Sequence, residues 1–107
     1  MIIDTREAYI AALLADAVYA NFNASAVEPN PLAQANFLAQ LNASGRFTVA
    51  LATQVATRFE LLEQSGPDAS GFYAAVFRER STGQLYMAFR GTDGPASIND
   101  LVADALL

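Results

Sequence analysis

Two short runs, at 72–79 and 84–90, constrain the fold more strongly than any other feature of this 107-residue sequence. Both runs are rich in aromatic and small apolar residues, which are typical of strands. Ser81, Thr82 and Gly83 lie between them and supply the residue types that tight turns require, with Gly83 free to adopt a positive φ angle. We therefore predict a β-hairpin, and we expect it to belong to a larger sheet.

The spacing of apolar residues predicts two helices near the N-terminus. The first covers about 5–21, with Asp4 as its N-cap and Glu7 completing a capping-box pattern. The second covers about 31–43 and begins directly after Asn30, because asparagine caps helices and a proline is tolerated at the first helical position.

The stretch 47–59 fits two structures. Its odd positions are mostly apolar, which favours a strand, but Leu51, Val55 and Phe59 also lie at helical spacing. We predict a short helix over about 49–57, followed by a strand over about 59–64. Together with the hairpin, these elements predict a fold of the α/β class.

Composition excludes several kinds of active site within these residues. The sequence contains no His and no Cys, and all six of its basic residues are arginines. A Ser-His-Asp triad, a thiolate nucleophile, a Cys-based zinc site, a Schiff-base lysine and a phosphate-binding P-loop therefore cannot be assembled from it. The formal net charge of −5 argues against nucleic acid as a partner.

The sequence carries no sign of membrane insertion or of an N-terminal signal. No apolar run approaches the length that spans a bilayer, and Asp4 and Glu7 lie where a secretory signal would be positively charged. We expect no transmembrane segment. The location is left open between the cytoplasm and export by a signal at the C-terminal end of a longer protein.

One stretch combines residues that can carry chemistry. The second hairpin strand is broken by Gly91, Thr92 and Asp93, and a helix is predicted over about 97–106, with Ser97 as its cap. A hydroxyl residue and unpaired backbone N–H groups in such a turn can stabilise a developing oxyanion. The alternative is an ordinary strand–turn–helix connection in which Thr92 only caps its own turn.

In order and spacing, six short segments resemble the N-terminal part of a class 3-type bacterial lipase or phospholipase of the α/β-hydrolase fold. The resemblance covers 59–107 well and the N-terminal helices loosely. Its segments are Glu63-Gln64, Ser70-Gly71-Phe72, Val76-Phe77-Arg78, Thr82-Gly83, Ala88-Phe89-Arg90-Gly91-Thr92 and Asp100-Leu101-Val102-Ala103-Asp104. The resemblance implies the N-terminal portion of such a fold: two or three helices, a strand, a β-hairpin and then a lid-like helix.

The resemblance also implies roles for residues beyond the hairpin. Thr92 would contribute to the oxyanion hole, and 93–104 would form a lid that meets lipid or covers the acyl site. Arg90 would form a structural ion pair at the base of that lid, although contact with substrate is an alternative. The lid and substrate residues would be Asp93, Ile98, Leu101 and Val102. The carboxylate that pairs with Arg90 would be that of Asp100 or Asp104.

None of the six serines lies in the Gly-x-Ser-x-Gly context of this family's nucleophile. We therefore expect the Ser, Asp and His of a lipase or esterase to lie beyond this chain, which would be inactive alone and would need its continuation or a partner chain to complete the core. The substrate would be a lipid or other acyl ester, and no cofactor or metal is expected. The alternative is a non-catalytic module that packs through its apolar C-terminal helix. A glycosidase acting through two carboxylates is less favoured because no acidic pair stands out.

Overall fold

The computed structural model describes residues 5–66 and 72–90. Within them the protein combines helices with a small antiparallel sheet, which confirms the α/β class in its general sense. The elements in chain order are α1 (Thr5–Ala17), α2 (Ala33–Ala43), α3 (Val49–Arg58), β1 (Phe59–Ser65), β2 (Tyr73–Glu79) and β3 (Leu85–Arg90). The predicted helix at 97–106 and the predicted N-cap Asp4 lie outside the described residues.

The three strands form a meander in the order β1-β2-β3, with both pairs antiparallel. The predicted hairpin is present as β2 and β3. Its turn contains Gly83 at a φ of 75° and is closed by a 2.9 Å hydrogen bond from the Glu79 amide to the Gln84 carbonyl. The pairing of β1 with β2 shifts register between Leu61 and Glu63, where β1 carries a bulge.

The ambiguous stretch is a helix followed by a strand, close to the predicted bounds. α3 begins at Val49, and the Thr48 hydroxyl accepts a 3.1 Å hydrogen bond from the Leu51 amide, so the threonine caps the helix. The chain enters β1 directly after Arg58. The period of two at these positions did not produce a strand.

The first two helices are shorter than the sequence predicts. α1 ends at Ala17 rather than near position 21, and the chain continues through a 3₁₀ turn, Val18–Ala20, to Asn21 in the left-handed region at a φ of 53°. α2 begins at Ala33 rather than at 31, because the Asn30 side chain accepts a 2.9 Å hydrogen bond from the Leu32 amide and holds a turn there.

The helices cover one face of the sheet. An aromatic cluster lies between them, in which the Phe22, Phe37 and Phe77 ring centroids are 5.0 to 6.2 Å apart. The opposite face of β2 is also apolar and buried, through Phe72 at its start, Ala74 and Val76. A strand buried on both faces is typical of the centre of a layered sheet. β2 is therefore the central strand both in the strand order and in its burial.

Candidate functional site

The end of β3 is the only part of the predicted site that the structure describes. Arg90 is the last residue of β3 and lies opposite Tyr73, the first residue of β2. The other predicted site residues lie outside the described ranges: Thr92, Asp93, Ile98, Asp100, Leu101, Val102 and Asp104. Their assigned roles stay predictions, and Arg90 is the one predicted site residue within the described ranges.

The Arg90 guanidinium joins the end of β3 to the turn that follows α1. One terminal nitrogen donates a 3.1 Å hydrogen bond to the Val18 carbonyl, and the other donates to the Asn21 side-chain oxygen. Both acceptors are neutral. The predicted ion pair with Asp100 or Asp104 falls outside the described residues, so Arg90 is known here only as an anchor between β3 and this turn.

Two tyrosine rings flank the same guanidinium. The Arg90 Cζ atom lies 5.1 Å from the Tyr19 ring centroid and 5.2 Å from that of Tyr73, both within the range of cation–π attraction. Arg46 approaches the Tyr19 ring more closely, at 3.9 Å, while also pairing with Asp16. Cationic and aromatic groups therefore concentrate where β3 ends.

The Tyr73 hydroxyl is a buried polar group close to Arg90. The side chain is fully buried, and its oxygen makes no hydrogen bond of ordinary geometry within the described part of the chain. Burial raises the pKa of this hydroxyl well above its usual value, and the nearby Phe22 amide and Arg90 charge offset only part of that shift. Tyr73 is therefore a neutral hydroxyl at physiological pH, not an ionised base.

A second polar cluster lies at the turn end of the hairpin, and sequence reasoning missed it. Glu79 is only 1% exposed, yet its carboxylate accepts hydrogen bonds from Arg6, from Arg58 at 3.1 Å and from the Thr82 hydroxyl at 2.8 Å. The Arg6 hydrogen bond is the largest cause that holds the pKa of Glu79 down, at about 2, against the effect of burial. Glu79 therefore stays ionised across the physiological range.

The sequence did contain a signal for this cluster. Because side chains alternate across a strand, position 79 shares the helix-facing side of β2 with Tyr73, Ala75 and Phe77. In the sequence this position lies between Arg78 and Arg80, and a glutamate is rarely buried unless it is paired. The carboxylate oxygens are occupied by Arg6, Arg58 and Thr82, so this cluster is structural and offers little to a ligand.

Two further observations concern metal ions and membranes. In residues 5–66 and 72–90, no group of three or more acidic side chains is arranged to hold a metal ion. No helix within these same ranges has the length and apolarity needed to cross a membrane. Comparisons with protein-family models, with curated proteins and with solved structures found no match to the chain.

Proposed function

We propose that this chain is the N-terminal part of a carboxylic-ester hydrolase of the lipase or phospholipase type. It supplies an oxyanion-hole element at Thr92 and a lid over 93–104. The nucleophilic serine and its Asp and His partners are contributed by sequence outside these 107 residues, since no histidine is present here. The substrate is a lipid or other acyl ester.

The observation that carries this proposal is the pairing of β3 with β2 up to Arg90. Every residue of β3 from Leu85 to Arg90 pairs with β2, and Arg90 stands two positions before Thr92 in the sequence. In hydrolases of this fold, a backbone N–H from a loop that follows a strand donates to the oxyanion. The pairing of β3 is consistent with that arrangement, because the proposed donor follows a well-paired strand closely in the sequence.

The anchoring of Arg90 gives the proposal a second support. Oxyanion-hole donors act because they are held in place before the reaction, and small displacements of such groups are costly. The Arg90 side chain is fixed to the Val18 carbonyl and to Asn21, while its backbone faces Tyr73 across the ladder. The residue that precedes Gly91 is therefore tied to both the sheet and the turn after α1.

The proposal is tested at Thr92 in the longest natural polypeptide that contains this sequence. We expect Thr92→Val to lower kcat on a short p-nitrophenyl ester by roughly a hundredfold, because it removes the hydroxyl that stabilises the tetrahedral intermediate. Thr92→Ser keeps the hydroxyl and should retain most of the activity. Thr53→Val is the matched control, since the exposed Thr53 hydroxyl bonds only to the Val49 carbonyl within α3.

Wild-type turnover in Thr92→Val would contradict the assignment, as would an equal loss in the Thr53→Val control. The isolated 107-residue chain should not hydrolyse the same ester. Measurable turnover by that chain, abolished by a point substitution, would show that the catalytic groups lie within it. A Gly-x-Ser-x-Gly elbow encoded after position 107, following a predicted strand, would support the family directly.

A further inference from the structure

Arg90 differs from the other arginines of the chain in the groups that its guanidinium contacts. Its hydrogen bonds within the described residues go to the Val18 carbonyl and to the Asn21 side-chain oxygen, which are both neutral. Every other arginine pairs with a carboxylate: Arg6 and Arg58 with Glu79, Arg78 and Arg80 with Glu60, and Arg46 with Asp16. The described contacts of Arg90 therefore fix its position without neutralising its charge.

The Arg90 guanidinium is held in place before a ligand arrives. The side chain is half-buried, and its Cζ atom lies 5.1 and 5.2 Å from the ring centroids of Tyr19 and Tyr73. A guanidinium carries five N–H donors in a rigid fork, and the bonds to Val18 and Asn21 use one on each terminal nitrogen. The remaining donors can bind an anion at little cost in side-chain entropy, because these contacts already restrict the side chain.

Two further donors lie near this guanidinium. Asn21 is exposed, and its side-chain oxygen accepts a hydrogen bond from Arg90, so the amide nitrogen of the same group lies beside the guanidinium. Arg46 brings a second cation to the Tyr19 ring, at 3.9 Å from its centroid. Its pair with Asp16 is at the surface, with side chains 45% and 53% exposed, so little free energy is lost when Arg46 turns to another anion.

These groups fit a phosphate better than a single carboxylate. The arginine fork matches phosphate oxygens in geometry and forms two parallel hydrogen bonds to them. A phosphate also has more acceptor oxygens than a carboxylate, and the Asn21 amide and the Arg46 guanidinium supply donors for them. The group that these residues bind is therefore expected to be a phosphate ester or inorganic phosphate.

The position of Arg90 in the sequence relates this phosphate to the proposed substrate. Arg90 stands two positions before Thr92, and two residues of chain reach at most about 7 Å. In a phospholipid the phosphate is a few bonds from the acyl esters, whereas a triglyceride has no charged group. A phosphate held at Arg90 thus keeps the acyl ester near the residue that is proposed to stabilise its oxyanion.

We propose that Arg90, with the Asn21 amide and Arg46, binds the phosphate of a phospholipid head group. The substrate class is thereby narrowed from acyl esters in general to phospholipids. This choice of lipid rests on the proposed function, whereas the anion site itself rests only on the contacts of Arg90. The competing occupants are free phosphate and the carboxylate of Asp100 or Asp104, and the test distinguishes them.

The test measures binding without hydrolysis. The probe is the diether analogue of dihexanoyl phosphatidylcholine, titrated below its micellar concentration into the longest natural polypeptide that contains this sequence and followed by calorimetry. The same diether without its phosphocholine group and inorganic phosphate are titrated in parallel. We expect the phosphocholine diether to bind at least about tenfold more tightly than the phosphate-free diether, since a hydrogen bond to a charged group contributes that much. Its alkyl chains should also make it bind more tightly than inorganic phosphate.

Substitutions then locate the binding at Arg90. Arg90→Gln removes the charge but keeps a side-chain amide that can donate to the Val18 carbonyl, and we expect the Kd of the phosphocholine diether to rise at least about tenfold. Arg90→Lys keeps the charge and should have a smaller effect. Arg78→Gln is the matched control, because Arg78 is an exposed arginine paired with Glu60, and its loss should leave the Kd unchanged.

Equal affinity for the two diethers overturns the proposal without any variant, and so does an equal loss in Arg90→Gln and Arg78→Gln. Inorganic phosphate that binds as tightly as the phosphocholine diether would show a site for free phosphate and overturn the lipid assignment. If the Kd falls about tenfold when Asp100 and Asp104 are both replaced by Asn, Arg90 pairs within the chain and the proposal fails. Because neither diether can be hydrolysed, none of these results depends on the outcome of the Thr92→Val test.

Discussion

The two ends of the β2–β3 hairpin differ in how completely their buried polar groups are hydrogen-bonded. At the turn end, Glu79 is fully buried and its carboxylate bonds to Arg6, Arg58 and Thr82. At the other end, the buried Tyr73 hydroxyl makes no hydrogen bond of ordinary geometry among the described residues, and Arg90 bonds to neutral acceptors. We call the turn end the closed end, because its buried carboxylate is fully hydrogen-bonded. We call the end at Tyr73 and Arg90 the open end, because its buried hydroxyl has no such partner among the described residues.

This difference distinguishes a polar cluster that stabilises the fold from polar groups that could still take part in chemistry. A carboxylate with its partners in place has a depressed pKa and ties α1 and α3 to the sheet, but little of it is left for substrate. A buried hydroxyl without an ideal partner adds little to stability, and buried groups of that kind in native proteins call for an explanation. The proposed catalytic element follows the open end, two residues beyond Arg90.

The largest effect should come from breaking the closed end. Glu79→Ala removes the carboxylate that joins α1 and α3 to the hairpin, and we expect the free energy of unfolding to fall by about 2 kcal/mol. Arg6 and Arg58 are partly exposed and can regain water, which limits the loss. Urea unfolding measures the change. Asp16→Ala is the control, since Asp16 and Arg46 form an exposed pair and their loss should be much smaller.

The same carboxylate predicts how stability depends on pH. Its pKa is about 2 in the folded protein and 4.5 in the unfolded chain, so the unfolded state binds more protons between these values. The contribution of Glu79 is fully present above pH 4.5 and is lost as the pH falls towards 2. Unfolding midpoints measured from pH 6 to pH 2 should decrease less steeply in Glu79→Gln. Parallel pH profiles would contradict the assigned role.

The smallest effect is expected at the open end. Tyr73→Phe removes a buried hydroxyl without a well-formed hydrogen bond, so the free energy of unfolding should stay the same or rise by less than about 1 kcal/mol. Thermal and urea unfolding both report it. Tyr73→Ala, which also removes the packed ring, is the positive control and must destabilise the protein. A clear loss in Tyr73→Phe would mean that the hydroxyl is well satisfied, and the contrast between the two ends would fail.

Local signals predicted the fold well where neighbouring residues determine the structure. The Ser81-Thr82-Gly83 turn specifies the hairpin, and the Thr48 cap specifies the start of α3, so both were accessible from the sequence. The end of α1 could not be predicted in this way. It changes to a 3₁₀ turn whose Val18 carbonyl accepts a hydrogen bond from Arg90, a residue 72 positions away.

The same limit applies to the candidate site. Arg90 was singled out, but the sequence suggested carboxylate partners ten and fourteen positions ahead, whereas its described partners come from the turn after α1. Glu79 was not singled out from the sequence, where only its position on the helix-facing side of β2 indicates burial. The role of Thr92 stays a prediction that depends on the resemblance.

The attachment of α1 to the hairpin has a consequence for biosynthesis. Arg6 bonds to Glu79 and Arg90 bonds to Val18 across separations of 73 and 72 residues. Ribosomes add about 5 to 20 residues per second, so α1 emerges roughly 4 to 15 seconds before the strand against which it packs. During that interval Ile10, Leu13 and Leu14 have no sheet to cover them. We therefore expect the nascent N-terminal helix to be a binding site for chaperones until β3 has left the exit tunnel.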